Sequence, residues 1–158
     1  MTITDSDQLL VSDNIRDLMA RYVRHADNKQ WHDLASLFTP DGSFTPLNVG
    51  GKPLTEMSGR EQIASKISTS VGRAIAIHHL FSYEVEVISE DKAKGIFSME
   101  DYLIRPEDEE IKQIPGSAIP AFRKMHGYGH YHGEYVKVKG IWQISRLVQT
   151  RIKLDFTM

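Results

Sequence analysis

From Ser12 onward, Ile15, Leu18, Met19, Tyr22, Val23 and Ala26 recur at steps of three and four and draw one apolar stripe, the spacing of a helix that buries a single face. Ser12 is read as its N-cap, which leaves 1–11 as a flexible N-terminus. Trp31, Leu34, Leu37 and Phe38 repeat the pattern over a shorter second helix, expected to end near Thr39 because Pro40, Asp41 and Gly42 follow as turn chemistry. A third helix is predicted to open at Ser58, with Glu61 in capping-box relation, and Ile63, Ile67 and Val71 mark its buried face. The period then falls to two. Ile77, Phe81, Tyr83, Val85 and Val87 alternate, then Phe97, Met99 and Leu103, then Val136 and Val138, then Trp142 and Ile144, so the second half reads as long strands. Glu90-Asp91-Lys92 and Lys139-Gly140 suit hairpins, whereas 106–123 is a long acidic connection expected to form a flap beside a pocket mouth. Helices first and strands afterwards predict a single α+β domain over 1–158, with the helices on one face of a bent sheet around a small-molecule pocket. The outer face, read as carrying Tyr131 and Tyr135, lacks helices to cover it and predicts self-association as a homodimer or higher homo-oligomer.

Composition narrows the functional classes. With 158 residues, 41% of them hydrophobic and 25% charged, the chain can bury one core without staples. A net charge of −2 offers no basic footprint, so neither nucleic acid nor an anionic membrane is an expected partner. Cysteine is absent, in keeping with a reducing compartment, and Asp5, Asp7 and Gln8 stand where a signal peptide needs a basic start. The expected location is cytoplasmic.

Candidate chemistry shows as polar groups in apolar places. Tyr22 lies on the first helix's stripe, and Asp27 follows one turn later. Asp101 shares strand parity with Phe97, Met99 and Leu103, and a carboxylate aimed at a core needs a partner or a task. His78 and His79 are adjacent on a strand and point to opposite faces. Alternation puts His79 in phase with Ile77 and Phe81, and a bulge near the strand start would reverse the choice. His126, His130, His132 and Glu134 share one parity; they read either as a metal-ligating strand or as imidazoles on the face of a glycine-relieved strand, some at a subunit interface. No phosphate-binding glycine loop, G-x-S-x-G elbow or HExxH helix is present in the sequence.

The ordered set Tyr22-Val-Arg-His-Ala-Asp27, Trp31, Leu34, His78-His79, Ser98-Met-Glu-Asp-Tyr102, Tyr131, Tyr135 and Gly140-Ile-Trp142 resembles the SnoaL-like family of the nuclear transport factor 2-like superfamily. Among its members the pattern is most similar to the bile acid 7α-dehydratase and scytalone dehydratase types, over about 12–156. The resemblance implies a cone-shaped, curved mixed or antiparallel sheet with three helices on its concave face. It also implies an active-site tyrosine at Tyr22, a helix-end aspartate at Asp27, the histidine at His78 rather than His79, a second carboxylate at Asp101 and a late arginine at Arg151. The 106–123 insertion and the histidine-rich strand depart from the dehydratase pattern. The implied activity is dehydration or isomerisation of a hydrophobic cyclic, steroid- or polyketide-like molecule, with no metal or organic cofactor. His78 would be the base, oriented by Asp27; Tyr22 would hydrogen-bond a developing oxyanion; Asp101 could assist the leaving hydroxyl; Arg151 would pair with Asp101 or hold an anionic group. A non-catalytic binding or assembly module of the same fold and a metal-dependent enzyme using His130/His132 are the alternatives.

Overall fold

A computed structural model describes residues 3–158. The element order is α1 (Asp5–Asp27), α2 (Trp31–Ser36), β1 (Phe38–Pro46), β2 (Met57–Ser58), α3 (Arg60–Val71), β3 (Ile75–Ser89), β4 (Lys92–Ile104), β5 (Lys124–Val138) and β6 (Ile141–Thr157). The strands form one mixed sheet in the order β2-β1-β6-β5-β4-β3, in which β1 runs parallel to β6 and every other pair is antiparallel. The three helices pack on the concave side, so the α+β reading holds.

α1 buries the predicted stripe, with Ile15, Leu18, Met19, Tyr22 and Ala26 all sealed in the core. Its start differs from the expectation. The Thr4 side chain, not Ser12, caps the helix by accepting the Asp7 N–H, and Asp5 and Asp7 sit in the first turn where the helix dipole favours acids. Residues 5–11 are therefore helical rather than a flexible arm, and Val11 joins the core.

The turn read at Pro40-Asp41-Gly42 is instead the middle of β1, at an irregularity between Phe38 and Ser43 where β1 shifts register on β6. A Cβ on Gly42 would lie 3.0 Å from the Ile144 carbonyl oxygen, so the close strand contact favours glycine there. The capping box at Ser58 is also corrected. Ser58 ends β2, Gly59 occupies the N-cap with φ 84°, and the Gln62 side chain reaches back to accept the Ser58 N–H. Ile63 and Val71 face the core as the spacing predicts.

β3 and β4 join through the expected tight hairpin at Glu90-Asp91, and β5 and β6 through Lys139-Gly140, whose φ values of 51° and 81° suit a primed turn. Irregularities at Leu80/Tyr83 in β3 and opposite Tyr128/Gly129 and Glu134/Tyr135 in β5–β6 bend the sheet around the helices. Tyr131 and Tyr135, read as outer-face groups, are buried on the concave side. The reason is local. Gly127, Gly129 and Gly133 alternate with them, and the Tyr135 ring folds over Gly133, where a Cβ would sit 2.1 Å from the phenol oxygen.

Candidate active site

The concave face and the helices enclose a cavity of about 100 Å³ whose wall includes Tyr22, Trp31, Leu34, Ile67, His78, Asp101, Tyr131, Gln149 and Arg151. Four of the five residues predicted as a site line it, and the fifth, Asp27, touches it through His78.

His78 faces the cavity and His79 faces out, with side chains 12% and 62% exposed respectively. The β3 irregularity at Leu80/Tyr83 is the cause. Ile77 and His79 precede it and Phe81 lies within it, all exposed on the outer side, while Tyr83 beyond it pairs with Phe97 and stacks on that ring. The single apolar alternation in the sequence thus spans both faces. His78 and Asp101 are direct partners in the β3–β4 register, so both project from adjacent strands on the concave side.

Asp27 is the last residue of α1, where the helix dipole disfavours a carboxylate. It is held there by His78, whose Nδ1 lies 2.8 Å from the Asp27 carboxylate oxygen. An ionised carboxylate only accepts, so Nδ1 carries the proton and Nε2 is the free nitrogen of the neutral ring.

Arg151 donates two N–H bonds to Asp101, at 2.6 and 2.9 Å, from side chains that are almost wholly buried. Of the two roles considered for Arg151, the structure gives pairing with Asp101. The guanidinium fits because Gly127 has no side chain: a Cβ there would come 2.4 Å from an Arg151 nitrogen. Burial alone would lower the Arg151 pKa, but the hydrogen bond to and charge of Asp101 outweigh it and hold it raised. Among the described residues the Arg151 Nε has no hydrogen-bond partner.

Tyr22 meets Tyr131 edge-on at 5.5 Å and is also flanked by Phe38 and Phe44. Burial first, and the nearby Asp101 charge second, push its pKa far above the ordinary phenol value, so it remains a neutral O–H donor. Tyr131 is raised likewise, chiefly by burial.

Sequence reasoning missed Tyr131 and Gln149 as cavity residues, although their parity with Gly127 and Gly133, and with Leu147, carried the signal. It also missed Arg105. Buried at the end of β4, Arg105 donates to the carbonyls of Ser70, Val71 and Phe122 and lies 4.3 Å over the Phe122 ring. One guanidinium thus caps α3 and ties down the 106–123 connection, whose Ile119 reaches the cavity and whose Ala118 N–H bonds to the Leu54 carbonyl.

His126, His130, His132 and Glu134 lie on the outer face, away from the cavity. His126 bonds Glu100 at 2.6 Å and His132 bonds Thr150 at 3.0 Å. Among the described residues no three His, Asp or Glu side chains converge as a metal-ion set. No described helix is long and apolar enough to cross a membrane.

A curved sheet closed by N-terminal helices over a polar-floored apolar cavity is the architecture of the nuclear transport factor 2-like proteins. Within that class the chain belongs to the SnoaL-like family, whose domain description, "SnoaL-like domain", matches residues 7–148. Among solved structures it is similar to a putative scytalone dehydratase from Novosphingobium aromaticivorans (TM-score 0.77, 19% identity, 98% of this chain and 93% of that one). It is also similar to a type-3 hexachlorocyclohexane dehydrochlorinase from Novosphingobium barchaimii (TM-score 0.72, 22% identity, 97% and 94%). A third similar structure is a putative aromatic ring hydroxylase from N. aromaticivorans (TM-score 0.74, 21% identity, 99% and 96%). At these identities the likeness shows the fold, and the different activities in those names leave the reaction to be argued from the site. No curated protein matches the sequence.

Proposed function

We propose that the chain is a cofactor-independent lyase or isomerase that removes a proton from carbon in a hydrophobic cyclic substrate. The observation that carries this reading is the 2.8 Å contact between His78 Nδ1 and Asp27 on the wall of an apolar cavity. With Nδ1 held by a carboxylate, Nε2 is the base. It takes a proton from a carbon next to an electron-withdrawing group, and the electron pair of that C–H bond forms a new double bond. In elimination the C–O bond to the neighbouring carbon then breaks, and the departing hydroxyl takes the proton carried by His78 Nε2 and leaves as water. In isomerisation the proton returns at another carbon. Asp27 stabilises the imidazolium that forms, and the Tyr22 O–H is placed to hydrogen-bond the developing oxyanion or the leaving oxygen.

The cavity constrains the substrate. Asp101 and Arg151 cancel each other's charge, so the floor favours a neutral molecule over an anion. A volume of about 100 Å³ falls short of the roughly 150 Å³ that accommodates benzene and of the roughly 300–1,000 Å³ of most ligand pockets, so even a single ring requires the walls to give. A steroid-sized ligand therefore needs the 113–119 segment to swing away, which is the flap role for 106–123. A cytoplasmic location and self-association belong to the same reading.

The test is a panel of neutral one- and two-ring β-hydroxy ketones and chlorinated cyclohexanes, followed by the ultraviolet change of a conjugated product. Turnover by wild type that is lost in folded His78→Ala supports the reading; ligand binding without turnover across the panel would replace it with the binding-module reading.

A further inference from the structure

Among the described residues four polar ones are buried as deeply as the core: Thr39, Asp101, Arg105 and Gln149. The fold accounts for three of them. Thr39 donates to Asp41, Asp101 accepts two N–H bonds from Arg151, and Arg105 donates to three backbone carbonyls. Gln149 is the exception. It is 4% exposed, and among the described residues its side chain bonds only the Met99 sulfur, 3.7 Å from Nε2, which is a weak acceptor. Oε1 and the second N–H are left to whatever fills the cavity whose wall Gln149 forms. A buried amide without a good partner lowers stability. The neighbouring buried positions of β6, Trp142, Ile144 and Leu147, are all apolar, so the packing of the strand does not call for an amide at the next one.

Its place in the sheet says what it meets. Gln149 lies in register between Pro46 of β1 and Tyr131 of β5, both walls of the cavity. His78 stands on β3, with β4 and β5 in between, so the two side chains approach a ligand from different sides. We infer that Gln149 is a specificity-determining residue that hydrogen-bonds a hydroxyl group of the substrate, on the part of the ring remote from the carbon that His78 deprotonates. A carboxamide offers a donor and an acceptor, so it matches a hydroxyl whichever way the hydroxyl proton points. A methyl group or chlorine in the same place leaves the amide stranded. The amide is neutral, in keeping with a floor on which Asp101 and Arg151 cancel. The substrate class narrows accordingly, from any hydrophobic ring to a cyclic ketone carrying a second, hydroxyl oxygen, and away from a chlorinated hydrocarbon.

The inference rests on the proton-abstraction reading for the reacting end of the ligand, and its test is a binding measurement that needs no turnover. The probes are 4-hydroxycyclohexanone and 4-methylcyclohexanone, which differ by one hydroxyl-for-methyl exchange, titrated by ligand-observed nuclear magnetic resonance into wild type and Gln149→Met. Wild type is expected to bind the hydroxylated ring at least about tenfold more tightly, because a site built to bond a hydroxyl rejects the analogue without it. Gln149→Met keeps the length of the side chain and removes the amide. Its preference is expected to fall by about tenfold or more, while its urea midpoint stays at or above that of wild type, since an apolar group replaces a poorly partnered one. An amide with a purely structural role predicts the reverse, a lowered midpoint with the preference intact. Wild type without the preference, a variant that keeps it, or a variant with a clearly lowered midpoint overturns the inference. Deuterium exchange into the same ketones separates it from the catalytic reading: exchange without the preference sinks the inference alone, and the preference without exchange sinks the catalytic reading alone.

Discussion

Replacing Asp101 by asparagine keeps the side-chain volume and removes the one charge that balances Arg151. Both side chains are sealed from solvent, at 5% and 3% exposure, and two N–H bonds join them. Arg151 stays protonated even without Asp101's support, because a guanidinium does not shed its proton in the accessible range. Breaking a buried pair from one side leaves an uncompensated charge and costs about 3–5 kcal/mol. With a urea dependence of about 2 kcal/mol per molar for a domain of this size, the unfolding midpoint should fall by about 2 M. Asp101→Asn combined with Arg151→Met removes the stranded charge and should regain more than half of the loss. Urea denaturation followed by tryptophan fluorescence of wild type, Asp101→Asn, Arg151→Met and the double variant closes a double-mutant cycle. An Asp101→Asn protein within about 0.5 M of the wild-type midpoint would refute the claim that this pair is buried, ionised and mutually dependent.

Alkaline pH should unfold the protein. Tyr22, Tyr131 and Tyr135 are held above the free phenol value of 10.0, mainly by burial. Their folded state binds protons more tightly than the unfolded state, so the stability they confer is whole below pH 10 and is lost above it, at about 1.4 kcal/mol per unit each and about 4 per unit together. Urea midpoints at stepped pH, recorded with tyrosinate absorbance, should show these phenols ionising only as the fold is lost. Arg105→Ala should cost about 3 kcal/mol, given its charged hydrogen bonds to three carbonyls, and should raise amide exchange over 113–122 in deuterium-exchange mass spectrometry. Gly129→Ala drives a Cβ to 1.8 Å from the Thr150 carbonyl oxygen and should cost more than about 2 kcal/mol in urea denaturation, whereas Gly50→Ala, whose Cβ meets only the Asn48 side-chain oxygen at 3.4 Å, should stay within about 0.5 kcal/mol.

How much of this was legible in the sequence depended on whether the local period stayed in phase. The stripes on α1 and α3 were readable because each buried face repeats without interruption from Ile15 to Ala26 and from Ile63 to Val71. Asp101 was readable because β4 alternates cleanly between Phe97 and Leu103. β3 was not, because its irregularity moves Tyr83 and the valines to the face opposite Phe81, and a period-two pattern carries no mark of that crossing. β1 was hidden by Pro40-Asp41-Gly42, whose turn chemistry serves here as a mid-strand irregularity. Tyr131 and Tyr135 were misplaced on the sheet face that the helices leave uncovered. The glycines between them in fact mark the crowded concave side. The Asp27–His78 contact joins residues 51 positions apart, and only the family resemblance, not the spacing, pointed to it. Arg105 gave no signal, since its acceptors are backbone carbonyls that any sequence supplies.

The central claim is that His78 Nε2 takes a proton from carbon, and solvent isotope exchange tests it most directly. A neutral cyclic ketone accepted by the cavity is incubated with enzyme in heavy water, and deuterium entering beside the carbonyl is followed by nuclear magnetic resonance. Wild type should exchange that position. His78→Ala should lose the exchange by about 10²–10⁴-fold and Asp27→Asn a large part of it, while Tyr22→Phe slows exchange without changing its fall toward acid pH. Folded His78→Ala protein that exchanges deuterium at the wild-type rate would contradict the account.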